Sequence, residues 1–401
     1  MTGEQDPPQQ EPPEQDPPQQ EPPQHDPPRH EHPTGPHEHG HSVYEPGEFL
    51  DAPAEEAISE AEVSLTRRWL NWRTIGGSIF ALVLVFLLFR VVLNVDFGRT
   101  WQLVSTANVW LLLVGLGAYY LTFPLRSLRW SLILRRVGSP IPYRDATEIL
   151  FLSWFVNCLV PAKLGDLYRA YLLRASHGAS ISRTVGTIFL ERVTDIVVIF
   201  ALALAAGFWS FRNRNRPEVD FLFLAGFVIA TALIIFIVVL RFQGRRLAAF
   251  LPARAAELYE RFHEGSTGAL RPGLLLQVTL ITAAVWILEG VRVYFVIRSL
   301  DLAAVDLPPL NLGISSAIFV ALAASLLTVV PLTPAGMGFV QAGIVGVLTL
   351  YGVSTEAGTA VAITDFLLST LSVIVIGGVL YAFSRKVRQA HGTGRARSSP
   401  A

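Results

Sequence analysis

Several ionisable residues of this chain sit inside or beside apolar stretches, where charge is costly. In Asn157-Cys-Leu-Val-Pro-Ala-Lys-Leu-Gly-Asp-Leu-Tyr-Arg169, Lys163, Asp166 and Arg169 follow one another at three-residue spacing, which puts them on one helical face. In Phe189-Leu-Glu-Arg-Val-Thr-Asp195, Glu191 and Asp195 stand at i,i+4, with Arg192 three residues before Asp195. Glu289 with Arg292, and Asp365 alone, repeat the pattern more sparsely. Such groups in lipid pair with one another, line a hydrated cavity, or mark a substrate or proton path. The chemistry they offer is therefore the holding of a charged headgroup or the relay of a proton. Asn157, Lys163, Asp166, Arg169, Glu191, Arg192 and Asp195 are the substrate-binding candidates, with Glu289, Arg292 and Asp365 as secondary ones. An ion-pair cluster that merely ties helices together remains an open alternative. No residue pattern nominates a catalytic group, a metal site or a cofactor. The single cysteine, Cys158, excludes an internal disulfide and a Cys-based zinc site, and no G-x-x-x-x-G-K-[ST] motif occurs.

Two interrupted apolar segments would position these groups. The run 149–160 is shorter than the roughly 20 residues that cross a bilayer, and it ends at Pro161, with Gly165 soon after. A second run ends at Val330-Pro331, followed by Pro334, Gly336 and Gly338. Paired Gly/Pro-interrupted segments in two halves point to a site between inverted repeats. Kinked packing helices with no substrate role are the alternative.

Composition sets the class. Of 401 residues, 51% are hydrophobic and 16% charged, and the mean hydropathy is +0.42; soluble domains carry about 25% charged residues. The expectation is an all-α, polytopic membrane protein with about 7–8 transmembrane helices plus re-entrant or broken half-helices, with an inverted repeat compatible. Residues 1–65 form a Pro/Gln/Glu/His-rich tail in which EQDPPQQEPP occupies 4–13 and recurs at 14–23. Such a composition stays disordered, and with no apolar core to make it a secretory signal, the tail is expected in the cytoplasm. The membrane domain is placed at 66–385 and a short basic cytoplasmic tail at 386–401. Expected spans are 75–95, 109–123 (ending at Pro124), 184–209, 221–240, 274–297, 310–330 and 357–383, with short runs at 149–160 and 339–352. Segment 126–148, rich in arginine, reads as a cytoplasmic loop, and 241–271 as an interfacial helix. Arg90 reads as snorkelling to the interface. Both termini then lie in the cytoplasm and the protein in the plasma membrane. Net charge is zero, so nothing favours nucleic acid as a partner. Lysine occurs only at 163 and 386, which points to a GC-rich bacterial genome.

Three blocks, NCLVPAKLGDLYR (157–169), FLERVTD (189–195) and VVPLTPAGMGFVQAG (329–343), resemble the transmembrane domain of lysylphosphatidylglycerol synthases, a family also called flippase-like or UPF0104-type membrane proteins. The resemblance covers roughly residues 70–385. It implies a helical bundle with two re-entrant elements that moves lipids with charged or sugar-bearing headgroups between leaflets. The family's Gly-Asp-x-x-Arg matches Gly165, Asp166 and Arg169, and its Glu-Arg-x-x-Asp matches Glu191, Arg192 and Asp195. Gln341 stands where the family usually has Glu, and joins the substrate-binding candidates on that ground. Aminoacyl-transferring members carry a large soluble domain after the membrane part, and this chain ends 18 residues past Phe383, which argues against synthase activity. The expected function is lipid translocation through a polar groove. The alternatives are a membrane-embedded transferase on lipid-linked substrates and a scaffold or regulator of envelope synthesis. Membrane lipids are the expected partners, and a homo-oligomer or contacts with envelope-synthesis enzymes are compatible.

Overall fold

The computed structural model describes residues 97–160, 163–212, 224, 226–228, 231, 232, 235, 239, 252–268, 271–305, 310, 312–327, 333 and 336–388. The N-terminal tail, the span expected at 75–95 with Arg90, most of 221–251, and Pro161, Pro331 and Pro334 lie outside them. The fold is all-α, with no strand among the described residues. In chain order the helices are α1 (Phe97–Ser105), α2 (Val109–Arg136), α3 (Tyr143–Leu159), α4 (Leu164–His177), α5 (Ile181–Phe211), α6 (Ala253–Thr267), α7 (Pro272–Ser299), α8 (Ile314–Leu326), α9 (Phe339–Leu350), α10 (Thr355–Phe366) and α11 (Ser372–Phe383).

Local chemistry explains the starts. Asn108 caps α2 by accepting the Trp110 and Leu111 N–H groups, Ser180 accepts from Arg183 at the head of α5, and Ser354 accepts from Ala357 at α10. Val109–Arg136, Pro272–Ser299 and Thr355–Phe383 are long and apolar enough to cross a membrane. The last comprises α10, a π-helical turn at Leu367–Leu371, and α11. α5 has 31 residues, about 46 Å at 1.5 Å per residue, but carries Glu191, Arg192 and Asp195 near its middle.

One boundary expectation is overturned. α2 does not end at Pro124 but runs through it to Arg136. Arg126 and Arg129, expected in a cytoplasmic loop, are buried helical residues, 2% and 3% exposed. Proline is tolerated inside a membrane helix packed among its neighbours, and beside it the Tyr143 hydroxyl donates to the Pro124 carbonyl at 2.9 Å.

The bundle is apolar outside and charged inside. Trp110, Phe208 and Phe383 are 78%, 70% and 76% exposed, whereas Arg169 is 2% exposed, the reverse of a soluble protein. α2 and α7 pack along each other, with α8 against α5 and α7, and α3 folds back on α4. Leu150, Val293, Phe319, Val320, Val361 and Val373 meet in the main apolar cluster.

At the start of α3, away from the apolar spans, a second polar knot fastens the C-terminal end. The Lys386 ammonium donates to Glu148 Oε2 at 2.6 Å and Asp145 Oδ1 at 2.9 Å, and His177 Nε2 lies 2.9 Å from Asp145 Oδ2. Partial burial pushes the Asp145 carboxyl up, but Lys386 and His177 outweigh it and hold the group below its ordinary 3.8. Burial likewise opposes the Lys386 charge, and the two carboxylates outweigh it and raise the ammonium above 10.5. A depressed carboxyl stabilises above its unfolded value and loses that contribution as pH falls through the folded one; a raised ammonium does the opposite at the alkaline end. Asp145→Asn is therefore expected to lower stability by less than about 1 kcal/mol, a surface-pair magnitude. The deficit should shrink below about pH 4, as read from thermal unfolding in detergent. A deficit that instead grows in acid would be inconsistent with this arrangement.

Candidate functional site

Four helices converge their polar side chains on α5. Glu191 and Asp195, one turn apart, face Arg129 of α2. Arg129 reaches Glu191 Oε1 at 3.2 Å, Asp195 Oδ1 at 2.5 Å and Thr282 Oγ1 of α7 at 2.8 Å. Arg169 of α4 donates to Glu191 Oε2 at 2.6 Å, its guanidinium stacked 3.9 Å from the centre of the Trp130 ring. Trp286 Nε1 of α7 donates to Asp195 Oδ1 at 3.2 Å. Arg192 turns the other way, toward α4, and grips Asp166 through Nε at 2.9 Å and Nη2 at 2.7 Å. It also lies 3.7 Å from Asp195 Oδ2. Asn157 of α3 closes the ring: its amide donates to Asp166 Oδ1 at 3.2 Å and its carbonyl accepts the Gly165 N–H at 2.8 Å.

The α3–α4 break makes that last contact possible. α3 ends at Leu159 with Val160 extended, and Lys163 enters α4 in the left-handed region at φ +53°, the only non-glycine residue with positive φ among those described. The fold-back brings Gly165 against the Ser153 carbonyl, where a Cβ would collide.

A second group lies along α7. Glu289 accepts from Arg126 Nη2 at 2.9 Å and pairs with Arg292 Nη1 at 3.2 Å, and Arg292 Nε lies 3.0 Å from Asp365 Oδ1 of α10. Asp365 is therefore not the isolated carboxylate that its position in the sequence suggests. Arg126 joins the two groups. Its guanidinium sits 4.6 Å from the ring centre of Trp154 and 5.4 Å from that of Trp286, and Trp154 also faces Arg192 at 5.4 Å. Five arginines (126, 129, 169, 192, 292) thus meet five carboxylates (166, 191, 195, 289, 365). Burial of such charges costs several kcal/mol per ion unless they are paired; near-complete pairing is what lets this set exist among apolar helices.

Exposure is graded across the network. The side chains of Arg129, Arg169, Glu191 and Asp195 are 2–4% exposed, whereas Arg192 is 25% and Asp166 13% exposed. The open end lies beside the α3–α4 break. Lys163 is there, half-buried, without an ion pair within 4 Å among the described residues.

Residues 74–377 match the model of the lysylphosphatidylglycerol synthase TM region. The chain belongs to this family. It is an integral membrane protein. A UPF0104 membrane protein of Methanocaldococcus jannaschii is 35% identical over 57% of this chain and 93% of its own length. A UPF0104 membrane protein of Methanothermobacter thermautotrophicus is 23% identical over 75% of this chain and 93% of its own. The glycosyltransferase AglD of Haloferax volcanii is 26% identical over 74% of this chain, which spans 52% of that protein. These relatives are archaeal; the bacterial origin inferred from arginine usage rests on composition alone.

Within this family member the structure brings Asn157, Asp166, Arg169, Glu191, Arg192 and Asp195 together, with Lys163 at their edge. Glu289, Arg292 and Asp365 form the neighbouring group. Gln341 stands apart: its Oε1 accepts the Gly338 N–H at 2.6 Å and caps α9, and no contact joins it to the network among the described residues. Gly336 and Gly338 take positive φ (71° and 86°) and turn the chain into α9. The sequence reading missed Arg126 and Arg129 as network members, along with Trp130, Trp154, Thr282 and Trp286. Their signal was present: Arg126 and Arg129 share the i,i+3 spacing used elsewhere to nominate Glu289 and Arg292.

Proposed function

We propose that the protein translocates a phospholipid or glycolipid between leaflets, its polar headgroup passing along the Asp166–Arg192–Asp195 side of the network while the acyl chains stay in lipid. One observation carries this reading. The network opens toward the α3–α4 break, where Arg192, 25% exposed, is shared between Asp166 and Asp195 and Lys163 has no ion pair within 4 Å among the described residues. A headgroup phosphate can take the place of Asp166 at Arg192 with Lys163 as a second donor, so entry exchanges one charge-assisted contact for another. A strained left-handed backbone at a lysine fits a functional position better than a packing one. The same reading makes the chain a multi-pass plasma-membrane protein with both termini in the cytoplasm.

The test uses proteoliposomes with headgroup-labelled lipids. Lys163→Gln is expected to slow label movement about tenfold or more, since a charge-assisted contact contributes about 1.5–3 kcal/mol and 1.4 kcal/mol is one decade. Stability should hold, because no ion pair is lost. Movement as fast as wild type in both Lys163→Gln and Arg192→Gln would sink the assignment.

A second reading is a transferase acting on lipid-linked substrates, favoured by similarity to a protein named as a glycosyltransferase. It predicts chemically altered lipid product in the same vesicles, where translocation returns the lipid unchanged.

A further inference from the structure

The carboxylates of the network are not held alike. Asp166 accepts three side-chain hydrogen bonds, from Asn157 and twice from Arg192. Glu191 accepts from Arg129 and Arg169, and Asp195 from Arg129 and Trp286. Glu289 accepts from Arg126 and pairs with Arg292. Asp365, 2% exposed, has one neighbour: Arg292 Nε lies 3.0 Å from Oδ1, yet neither atom is hydrogen-bonded. A buried carboxylate with an unsatisfied oxygen is costly as an anion, and Arg292 is divided between it and Glu289.

The backbone beside it is irregular as well. The π-helical turn Leu367–Leu371 starts two residues after Asp365, and single π turns inside helices recur at functional sites. It is tied on both sides: Ser369 Oγ donates to the Asp365 carbonyl at 2.7 Å, and the Tyr120 hydroxyl of α2 donates to Ser372 Oγ at 3.0 Å. Closing that turn into α-helix rotates α10 against α11 by about 100°, the angle of one residue in a 3.6-residue turn.

The titratable and charged groups around Asp365 are few. α7 contributes Arg292 and Glu289. α2 contributes Arg126 and Tyr119, whose ring lies 5.1 Å from the Arg292 guanidinium. α9 and α11 carry no charged residue, and Arg99 of α1 is exposed. Arg126 already has one idle donor, Nη1, buried without a hydrogen bond.

We infer that Asp365 is a proton-binding site at membrane depth whose occupancy re-partitions the ion pairs of α7. One O–H bond forms at the Asp365 carboxyl with a proton from the water phase, and the group becomes neutral. Arg292 then belongs to Glu289 alone, and Arg126, sharing Glu289 less, turns on its two tryptophans toward Asp195. The α7 group passes from neutral to one positive charge, so proton occupancy and an anionic group at the network favour each other. The site rests on geometry and its test reads proton binding, so it stands or falls apart from lipid movement.

The test is infrared difference spectroscopy of the full chain in lipid nanodiscs through a pH titration, reading the C=O stretch of a protonated carboxylic acid. Wild type is expected to show, apart from the band of its exposed carboxyls, a distinct titrating acid band that is lost in Asp365→Asn and kept in Glu289→Gln. Asp365→Glu, which retains an acid, should shift the band, and serves where the asparagine variant does not fold. Persistence of the band in Asp365→Asn, its loss in Glu289→Gln, or no such distinct band in wild type would overturn the assignment.

Discussion

Replacing Arg129 with leucine is expected to destabilise the protein by about 3–5 kcal/mol, the cost of leaving buried charge without its partner. Arg129 is 3% exposed and is the contact common to Glu191 and Asp195. Without it Glu191 keeps Arg169 at 2.6 Å. Asp195 keeps the Trp286 N–H and Arg192 at 3.7 Å, too little for an ionised carboxylate 3% exposed. The comparison is Arg261→Leu, whose partner Glu257 is solvent-exposed at i,i+4; that pair contributes about 0.3–0.5 kcal/mol. Equilibrium unfolding in mixed micelles separates the two magnitudes. If the loss comes from stranded charge rather than lost packing, Asp195→Asn in the Arg129→Leu background recovers most of it. A loss under about 1 kcal/mol, or no recovery in the double variant, would mean that water reaches this part of the bundle.

The sequence spoke more clearly about which residues carry charge at depth than about what holds them there. The i,i+4 pair Glu191 and Asp195 and the stripe through Asp166 and Arg169 were legible because apolar surroundings make any charge conspicuous. So was the break after the run 149–160, too short to cross a bilayer. Arg126 and Arg129 were hidden by Pro124, which reads as a helix stop by the rule for soluble helices. In a packed membrane helix proline is tolerated, and α2 runs on through it to Arg136. The tryptophans were invisible for a different reason. Trp130, Trp154 and Trp286 sit in apolar runs like any core aromatic, and only the fold reveals that each faces a guanidinium. Gln341, nominated by family pattern, serves the backbone of its own helix, where it accepts the Gly338 N–H.

Geometry alone, with every charge left in place, should also disable the site. Gly165→Val is expected to cost about 1–3 kcal/mol by overpacking and to stop lipid movement, although valine removes no charged group. The Cβ at this position collides with the Ser153 carbonyl and meets Asn157 Cγ and Oδ1 at 2.7 Å. A backbone oxygen cannot swing aside as a side chain can, so α3 and α4 must separate. Asn157 then loses both of its contacts, the Gly165 N–H and Asp166 Oδ1, and Asp166 is no longer fixed opposite Arg192. Gly378 is the control, since a Cβ there meets nothing nearer than 3.7 Å. Gly378→Ala, inside α11, should leave transport intact and gain up to about 1 kcal/mol from helix propensity. Unfolding and label movement measured on the same preparations decide between two roles for the α3–α4 contact. If Gly165→Val loses stability but still moves lipid at the wild-type rate, the fold-back is packing and the headgroup path lies elsewhere. If movement fails while the fold survives, placement of Asp166 and Arg192 to within a fraction of an ångström is what the broken helix is for.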